Sequence, residues 1–298
     1  APPALAVTTT QAFARVVTSD AARRAAEAGS AAAREDLARA ERRRDAGMAT
    51  DADVLALVVH VAELQQRAIQ ADGEAAVARA ELNRLMGAPI DGPIHVVLPA
   101  NTGSDDIGAG ADVTSLLAEA EARRPELKRA AGSEQIAAAA RQQTRSALVP
   151  QIAGHALVDV AGTRFADRAS SWIVGGELRW TFSTGGAELA AMKAAAASIA
   201  RTRAEADDAR AAVHVDVISA LRRVEAARAR YVVGRATVEQ AQESQRIIRD
   251  RFEAGIAPVN DVLRASTAML DAEANRVSAL VDTMVAGAML RRALGRTP

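Results

Sequence analysis

The sequence predicts a mainly α-helical protein of long antiparallel helical hairpins, with one short β-hairpin. Three observations lead to this fold class. Alanine fills 74 of the 298 positions while only seven residues are aromatic, a composition suited to helices packed closely along their length rather than to a core of bulky side chains. Long stretches contain no proline. Two segments of about ten residues alternate with a period of two instead of the helical period.

Composition also excludes several functions. The 37 basic and 37 acidic side chains give zero net charge, so nothing indicates the basic face that nucleic acid binding requires. The absence of cysteine excludes a catalytic thiol or a thiolate metal site. No run of 18 apolar residues predicts a transmembrane helix. Because the chain begins at Ala1 without a methionine or a signal-peptide pattern, we expect it to be processed or a fragment.

An internal repeat is the most specific feature. Residues 47–87 align without a gap on residues 255–295, at an offset of 208, with 12 identities in 41 positions. The identities include both terminal glycines and the Asp-Val-Leu tripeptides at 53–55 and 261–263. We interpret this as a duplicated helical unit. If the duplication is complete, the counterpart of residues 151–182 lies before Ala1, and the first portion is missing.

The first helix pair is predicted from composition and caps. A proline-free segment from about residue 10 to 46 is helical in composition, and Gly47 ends it. Thr50 with Asp53 three residues later resembles a capping box that opens the second helix. A seven-residue repeat then predicts a coiled-coil seam whose alanine-rich middle lets two helices approach closely. Its members are Val54, Leu57, Val61, Leu64, Ala68, Ala71, Ala75, Ala78, Leu82 and Leu85.

An irregular connection and two further helices follow. Prolines and glycines between 88 and 111 indicate a loop. A short helix is expected from Val113. Arg-Pro-Glu-Leu at 124–127 begins another helix, with proline in the first turn where its missing amide costs little. That helix is predicted to end before Pro150.

Two alternating segments predict a β-hairpin. Even positions in 172–182 are apolar or glycine, while Glu177, Arg179 and Thr181 lie on the other face. Residues 151–160 alternate similarly, and a polar linker follows them. Each strand has roughly the 9–11 residues needed to cross a membrane when tilted. A soluble hairpin that packs its apolar face on helices explains the same pattern, so both interpretations stay open.

The last part of the chain predicts two more helices. Residues 187–254 contain no proline, and only Gly234 interrupts their helical composition. A continuous helix of this length spans about 100 Å at 1.5 Å per residue, which does not fit within a compact domain. Gly255 ends it and Pro258 begins the next helix. The second copy of the seam is less regular because Arg276 falls within it.

The order of these segments resembles the outer membrane efflux protein family, the TolC-type channels. Each matching motif is weak alone, but together they extend over residues 12–295. The motifs are Arg-Phe-Glu-Ala-Gly at 251–255 with the following Asp-Val-Leu, their first-repeat counterparts from 43, Arg-Pro-Glu-Leu at 124–127, Pro150 before a strand, and Trp180 followed by Gly185-Gly186.

The resemblance implies a fold and an organisation. Long antiparallel helical hairpins form a periplasmic α-barrel, and a transmembrane β-hairpin contributes to a trimeric β-barrel. The expected segments are the first-repeat helical pair with its N-terminal part missing (1–87), an irregular equatorial connection with a short helix (88–124), a helix (125–149), the transmembrane β-hairpin (150–184) and the long second-repeat helical pair (185–298).

The resemblance implies a function as well. Such a protein is the outer-membrane channel subunit of a tripartite efflux or secretion system, a passive export duct with a periplasmic gate. We expect a homotrimer in outer membrane lipid that works with a periplasmic adaptor protein and an inner-membrane transporter. No nucleic acid, cofactor or enzymatic activity is expected. The alternative is a periplasmic adaptor or structural coiled-coil protein without a pore, although an adaptor carries one helical hairpin between β-domains rather than two copies of a helix pair.

Site residues are carried over from the family by position. The tips that contact the adaptor map to Ala46, Gly47, Met48, Ala254, Gly255 and Ile256. The periplasmic gate maps to Asp53, Asp261 and Arg264, with closure through ion pairs between neighbouring subunits as the hypothesis. The membrane girdle maps to Trp172, Trp180 and Phe182. Simpler roles stay open, because a carboxylate in a first helical turn is stabilised by the helix dipole, glycines end helices, and tryptophans also fill hairpin cores.

Other chemistry has little support in the sequence. The four histidines, His60, His95, His155 and His214, are far apart and lack the spacing of metal ligands, so surface or lumen positions are expected for them. Asp105 and Asp106 are expected in an exposed polar loop rather than in a cation site. No phosphate-binding loop or nucleophile elbow occurs.

Overall fold

A computed structural model describes residues 3–94, 96, 112–146, 148–161, 169–180 and 185–296 of the chain. The predicted positions His95, Asp105, Asp106 and Phe182 lie outside these residues. The described elements are α1 (Pro3–Asp45), α2 (Asp51–Met86), α3 (Val113–Arg123), α4 (Pro125–Ser146), β1 (Gln151–Ala161), β2 (Ala169–Arg179), α5 (Ala187–Glu253) and α6 (Val259–Ala293). They belong to two compact units, one made of Ala1–Arg123 with His214–Pro298 and the other of Arg124–Val213.

The two repeats have matching helix ends. Helices α1 and α5 end at Asp45 and Glu253, and α2 and α6 begin at Asp51 and Val259, so each pair of ends is 208 residues apart, as in the sequence alignment. The turn after each of the four helices contains a glycine with a φ of 70° to 77°, where a side chain is strained. These are the four aligned glycines, Gly47, Gly87, Gly255 and Gly295. The predicted duplication is therefore confirmed in the backbone.

Helices α1 and α2 pack along the predicted seam. The Thr50 hydroxyl accepts a bond from the Asp53 N–H at 3.2 Å, and the Asp53 carboxylate accepts one from the Thr50 N–H at 3.1 Å, so the predicted capping box is confirmed. Seven of the ten seam residues are buried and the other three are half-buried. Helix α1 begins at Pro3, earlier than residue 10, because a proline is tolerated in the first helical turn.

A glycine explains how α6 accommodates the irregular seam position. A Cβ added at Gly234 of α5 would lie 3.3 Å from the Cα of Arg276, so the two backbones approach closely there. The first repeat has Ala26 and Ala68 at the equivalent positions. In the second repeat the residue in the seam is thus larger, an arginine instead of an alanine, and the residue opposite it is smaller, a glycine instead of an alanine. This contact is a reason to keep a glycine inside a helix, where it otherwise costs stability.

The second unit contains α4 and an antiparallel hairpin. The register pairs Gln151 with Arg179 at one end and Ala161 with Ala169 at the other. The predicted start and end of the second strand, 172 and 182, are therefore wrong by three residues. The next pair along would join Pro150 to Trp180, and proline has no N–H to donate to the ladder. Trp180 thus follows the strand, and the linker is reduced to residues 162–168, which lie outside the described residues.

The hairpin has one apolar face. Opposed residues of an antiparallel pair share a face, and here Trp172 is opposite Val158 and Leu178 is opposite Ile152. All four side chains are at least 68% exposed. Within this unit, no described helix covers the apolar face. An exposed two-stranded ribbon of this kind needs other material against it to be stable.

Among the described residues, no helix combines the length and the apolar character needed to cross a bilayer.

Candidate functional site

The turns between paired helices form two exposed tips in the first unit. Tip 1 comprises residues 46–50 and tip 2 residues 254–258. In each, the glycine N–H donates to the carbonyl three residues earlier and the next N–H donates to the carbonyl five residues earlier, at 2.8 to 3.0 Å. The backbone thus satisfies the helix ends by itself. The apolar side chains of Met48 and Ile256 stay 64% and 73% exposed.

An apolar cluster lies directly behind the tips and joins the two repeats. Ala40, Val54 and Leu57 of the first repeat pack with Phe252, Val259 and Val262 of the second. Leu57 is 1% exposed and Phe252 is 8% exposed. Burial of side chains from both repeats in one cluster is a main source of stability for the tip region.

Arg43, in the last turn of α1, reaches from the first repeat to the second. Its Nη1 donates to the backbone carbonyl of Phe252, and its Nη2 donates to the carbonyl of Met48 at 3.4 Å. The guanidinium carbon lies 5.1 Å from the centroid of the Phe252 ring, within the range of a cation–π interaction. One side chain therefore contacts tip 1 and the end of the helix that leads into tip 2.

A buried carboxylate forms a second link, about three helical turns before tip 1. Asp36 is 6% exposed, and its two oxygens accept bonds from Arg39 at 2.9 Å and from Arg249 of α5 at 3.1 Å. Arg39 also lies 3.8 Å from Glu253. The two cationic partners offset the cost of burying this carboxylate. The Asp36–Arg249 ion pair therefore links α1 to α5, in addition to the apolar contacts.

The three predicted gate residues have different environments. The Asp53 carboxylate is held in the capping box, where Thr50 also donates its hydroxyl to it at 2.7 Å. Asp261 is half-buried and Arg264 is exposed, both near the start of α6. Within the described part of the chain, neither Asp261 nor Arg264 forms an ion pair, and no hydrogen bond or ion pair links Asp53 to either of them. The three residues are therefore not joined by hydrogen bonds or ion pairs within one described subunit.

The histidines do not form a site. His60 is buried, contrary to the surface or lumen position expected for it, because it lies one turn after Leu57 on the packed side of α2. Burial lowers the pKa of His60, with the charge of Glu63 acting in the opposite direction. His155 is exposed on β1, and His214 lies 2.7 Å from Glu121. No cluster of metal-ligating side chains occurs among the residues described.

The sequence reasoning missed two important residues, Arg43 and Asp36. Arg43 begins the first-repeat counterpart of the Arg-Phe-Glu-Ala-Gly motif, but its acceptor is 209 residues away in the chain. Asp36 is one of several acidic residues in a charged helix, and its partner Arg249 is 213 residues away. The available signal was the repeat itself, because a duplicated pair of hairpins places the two tips side by side.

Residues 116–296, more than half of the chain, match the model of the outer membrane efflux proteins. The chain belongs to the outer membrane efflux protein family. No curated protein sequence matches it.

Solved structures of efflux channels share the fold. VceC from Vibrio cholerae superposes with a TM-score of 0.80 at 17% identity, over 99% of this chain and 70% of VceC. CusC gives a TM-score of 0.85 at 16% identity, over 99% and 69%. The open state of MtrE from Neisseria gonorrhoeae gives 0.76 at 20% identity, over 99% and 66%. The chain thus spans roughly two thirds of the length of these channels.

Family membership confirms the predicted identity and location. The protein is an outer-membrane channel subunit of a tripartite efflux system, with helices that extend into the periplasm. Members of this family are passive channels rather than enzymes, and they work with an adaptor and a transporter. The alternative of an adaptor or a coiled-coil protein without a pore is not supported.

Proposed function

We propose that this efflux protein is one subunit of a homotrimeric export duct, and that tips 1 and 2 form its periplasmic entrance. The observation that carries the proposal is the pair of matched tips, because each combines a backbone-satisfied turn with an exposed apolar residue. Met48 and Ile256 occupy equivalent positions of the two repeats. Exposed apolar side chains at two equivalent positions indicate a surface that binds a partner rather than a surface that stays in contact with water.

The periplasmic adaptor binds at these tips in our proposal. Its contacts include Ala46, Gly47 and Met48 of tip 1 and Ala254, Gly255 and Ile256 of tip 2. The alanines are small, so the approach to the glycine backbone stays open, while the two larger side chains supply apolar area. An inner-membrane transporter loads the duct beyond the adaptor and selects what is exported.

The gate lies beside the tips at Asp261 and Arg264. These residues are three apart at the start of α6, so they share one side of the helix. Because neither has an ion pair within the described part of its own chain, both are able to pair with a neighbouring subunit. Asp53 is already bonded to Thr50, so it contributes negative charge near the entrance rather than a bond between subunits.

The hairpin lies in outer membrane lipid in the same proposal. Each strand has 11 residues, enough to cross the hydrocarbon core when tilted. Trp172 and Trp180 are exposed at 74% and 60% and act as girdle residues, with Phe182 at the next even position. The Trp180 N–H donates to the carbonyl of Leu148 at 3.3 Å, which fixes this ring where α4 leads into β1.

Site-specific cross-linking tests the entrance. The 298 residues contain no cysteine, so Met48→Cys and Ile256→Cys each introduce one thiol into this part of the protein. In cells that also contain the cognate adaptor, we expect a thiol cross-linker to join both variants to the adaptor, and the protein to migrate as a detergent-stable trimer from outer-membrane fractions. Ile136→Cys is the matched control, because Ile136 on α4 has the same 73% exposure as Ile256. Equal cross-linking of all three variants, or none at the tips, contradicts the proposed entrance.

A further inference from the structure

We propose that Arg43 is a positioning residue that fastens tip 1 to tip 2, so that the two tips meet the adaptor as a single surface. This inference rests on the proposed entrance and deepens it, because it says how two loops that are far apart in sequence act together. The Arg43 guanidinium binds backbone carbonyls and an aromatic ring, so this contact is distinct from the ion pairs proposed for the gate.

The contacts of Arg43 are of three kinds and point to both tips. The side chain donates to the Phe252 carbonyl at the end of α5 and to the Met48 carbonyl in tip 1, and it lies over the Phe252 ring. A cation is favoured at the carbonyl end of a helix. Within the described residues, no carboxylate forms an ion pair with Arg43. Its charge is therefore balanced by the helix end and the ring face that it holds.

The repeat shows that this bridge is a feature of one copy only. The equivalent of Arg43 in the second repeat is Arg251, and the equivalent of Phe252 in the first repeat is Arg44. Arg251 is exposed and Arg44 pairs with Asp45. The two copies of the motif have thus diverged. The first copy supplies the guanidinium of Arg43, and the second copy supplies the ring of Phe252. A single bridge between the copies results, instead of two separate tips.

Tip 2 is shaped to receive the guanidinium. A Cβ added at Gly255 would lie 3.4 Å from the Nη2 atom of Arg43, so the glycine leaves room for the head group. A planar fork with several N–H donors serves two carbonyls and a ring face at once, whereas a lysine ammonium presents one point of charge. Arg43 is therefore specific in shape as well as in charge.

Hydrogen exchange of the backbone amides tests this bridge in the purified, detergent-solubilised trimer, followed by mass spectrometry. If Arg43 joins the tips, Arg43→Gln speeds exchange by about tenfold in tip 2 as well as in tip 1, because local opening of one tip releases the other. Phe252→Leu keeps an apolar side chain in the cluster and has the reciprocal effect on tip 1. Arg43→Lys restores part of the protection. Arg251→Gln is the matched control and leaves the other tip unchanged.

Two results would contradict a bridge between the tips. If Arg43→Gln and Phe252→Leu each alter only their own tip, or if Arg251→Gln transmits as strongly as Arg43→Gln, the bridge is refuted. Should Arg43→Gln fail to assemble, Phe252→Leu decides the matter alone, since exchange in tip 1 either rises or does not. The measurement needs neither adaptor nor transport. A failure of the adaptor cross-links is therefore distinguishable from a failure of the bridge.

Discussion

Removing the side chain of Leu57 should open the tip region, and the size of the effect follows from its burial. Leu57 is 1% exposed within the cluster that joins the repeats. Leucine to alanine removes three carbons, worth about 0.8 kcal/mol for each buried methylene, and the residual cavity adds to this loss. We expect Leu57→Ala to destabilise the region by about 3 kcal/mol.

Leu55 provides a matched control on the same helix. It is 63% exposed, so it loses only about a third of the transfer free energy, and the higher helix propensity of alanine recovers a few tenths of a kcal/mol. We expect Leu55→Ala to cost about 0.5 kcal/mol. The two substitutions are chemically identical, so their difference isolates the buried cluster.

Native-state hydrogen exchange of the first turns of α2 and α6 is the assay. A cost of about 3 kcal/mol corresponds to exchange faster by about 100-fold for Leu57→Ala, against about twofold for Leu55→Ala. Exchange in α6 must rise as well, since Val259 and Val262 belong to the same cluster. If Leu57→Ala changes exchange less than Leu55→Ala does, or leaves α6 unaffected, the packing argument is wrong.

Three further predictions concern caps, packing and pH. Thr50→Ala removes the capping hydroxyl and should lower stability by about 1 kcal/mol in thermal unfolding. Gly234→Leu should lower the unfolding temperature because α6 backbone lies against that position, whereas Gly73→Leu, which has nothing within 4 Å, should not. The bonds from Arg296 hold the pKa of Glu119 below its ordinary 4.5. The stability from this depressed pKa is present above pH 4.5 and lost as the pH falls through the lower folded-state value. The difference in unfolding temperature between the wild type and Glu119→Gln should therefore disappear in acid; a constant difference contradicts it.

The helices and turns could be predicted because their signals are local. Glycine at 47 and 255 marks positions that need a positive φ, and Thr50 with Asp53 forms a cap within four residues. The seam was visible because burial in a helix pair repeats every seven residues. The repeat alignment added a test that no single motif provides, since every helix end had to occur twice.

The parts that escaped prediction depend on residues distant in sequence. The register of the hairpin is set by pairing between strands, and Pro150 ends it, so alternation alone placed β2 three residues too late. Arg43 and Asp36 bind groups more than 200 residues away. The sequence shows Gly234 only as an interruption of a helical segment, because its close contact with Arg276 depends on how α5 and α6 pack. The turns at residues 46–50 and 254–258 could therefore be predicted from the sequence, while the contacts between them could not.

Conductance in planar lipid bilayers tests the central claim most directly, because it needs no knowledge of the exported substrate. The complete wild-type protein should insert as a channel with a low, mostly closed conductance. Asp261→Ala should raise that conductance by removing an ion pair between subunits at the entrance, while Asp271→Ala, farther along α6, should leave it unchanged. If neither the wild type nor Asp261→Ala conducts ions, the proposal that the protein forms a channel is contradicted. If both show the same low conductance, the proposed gate is contradicted.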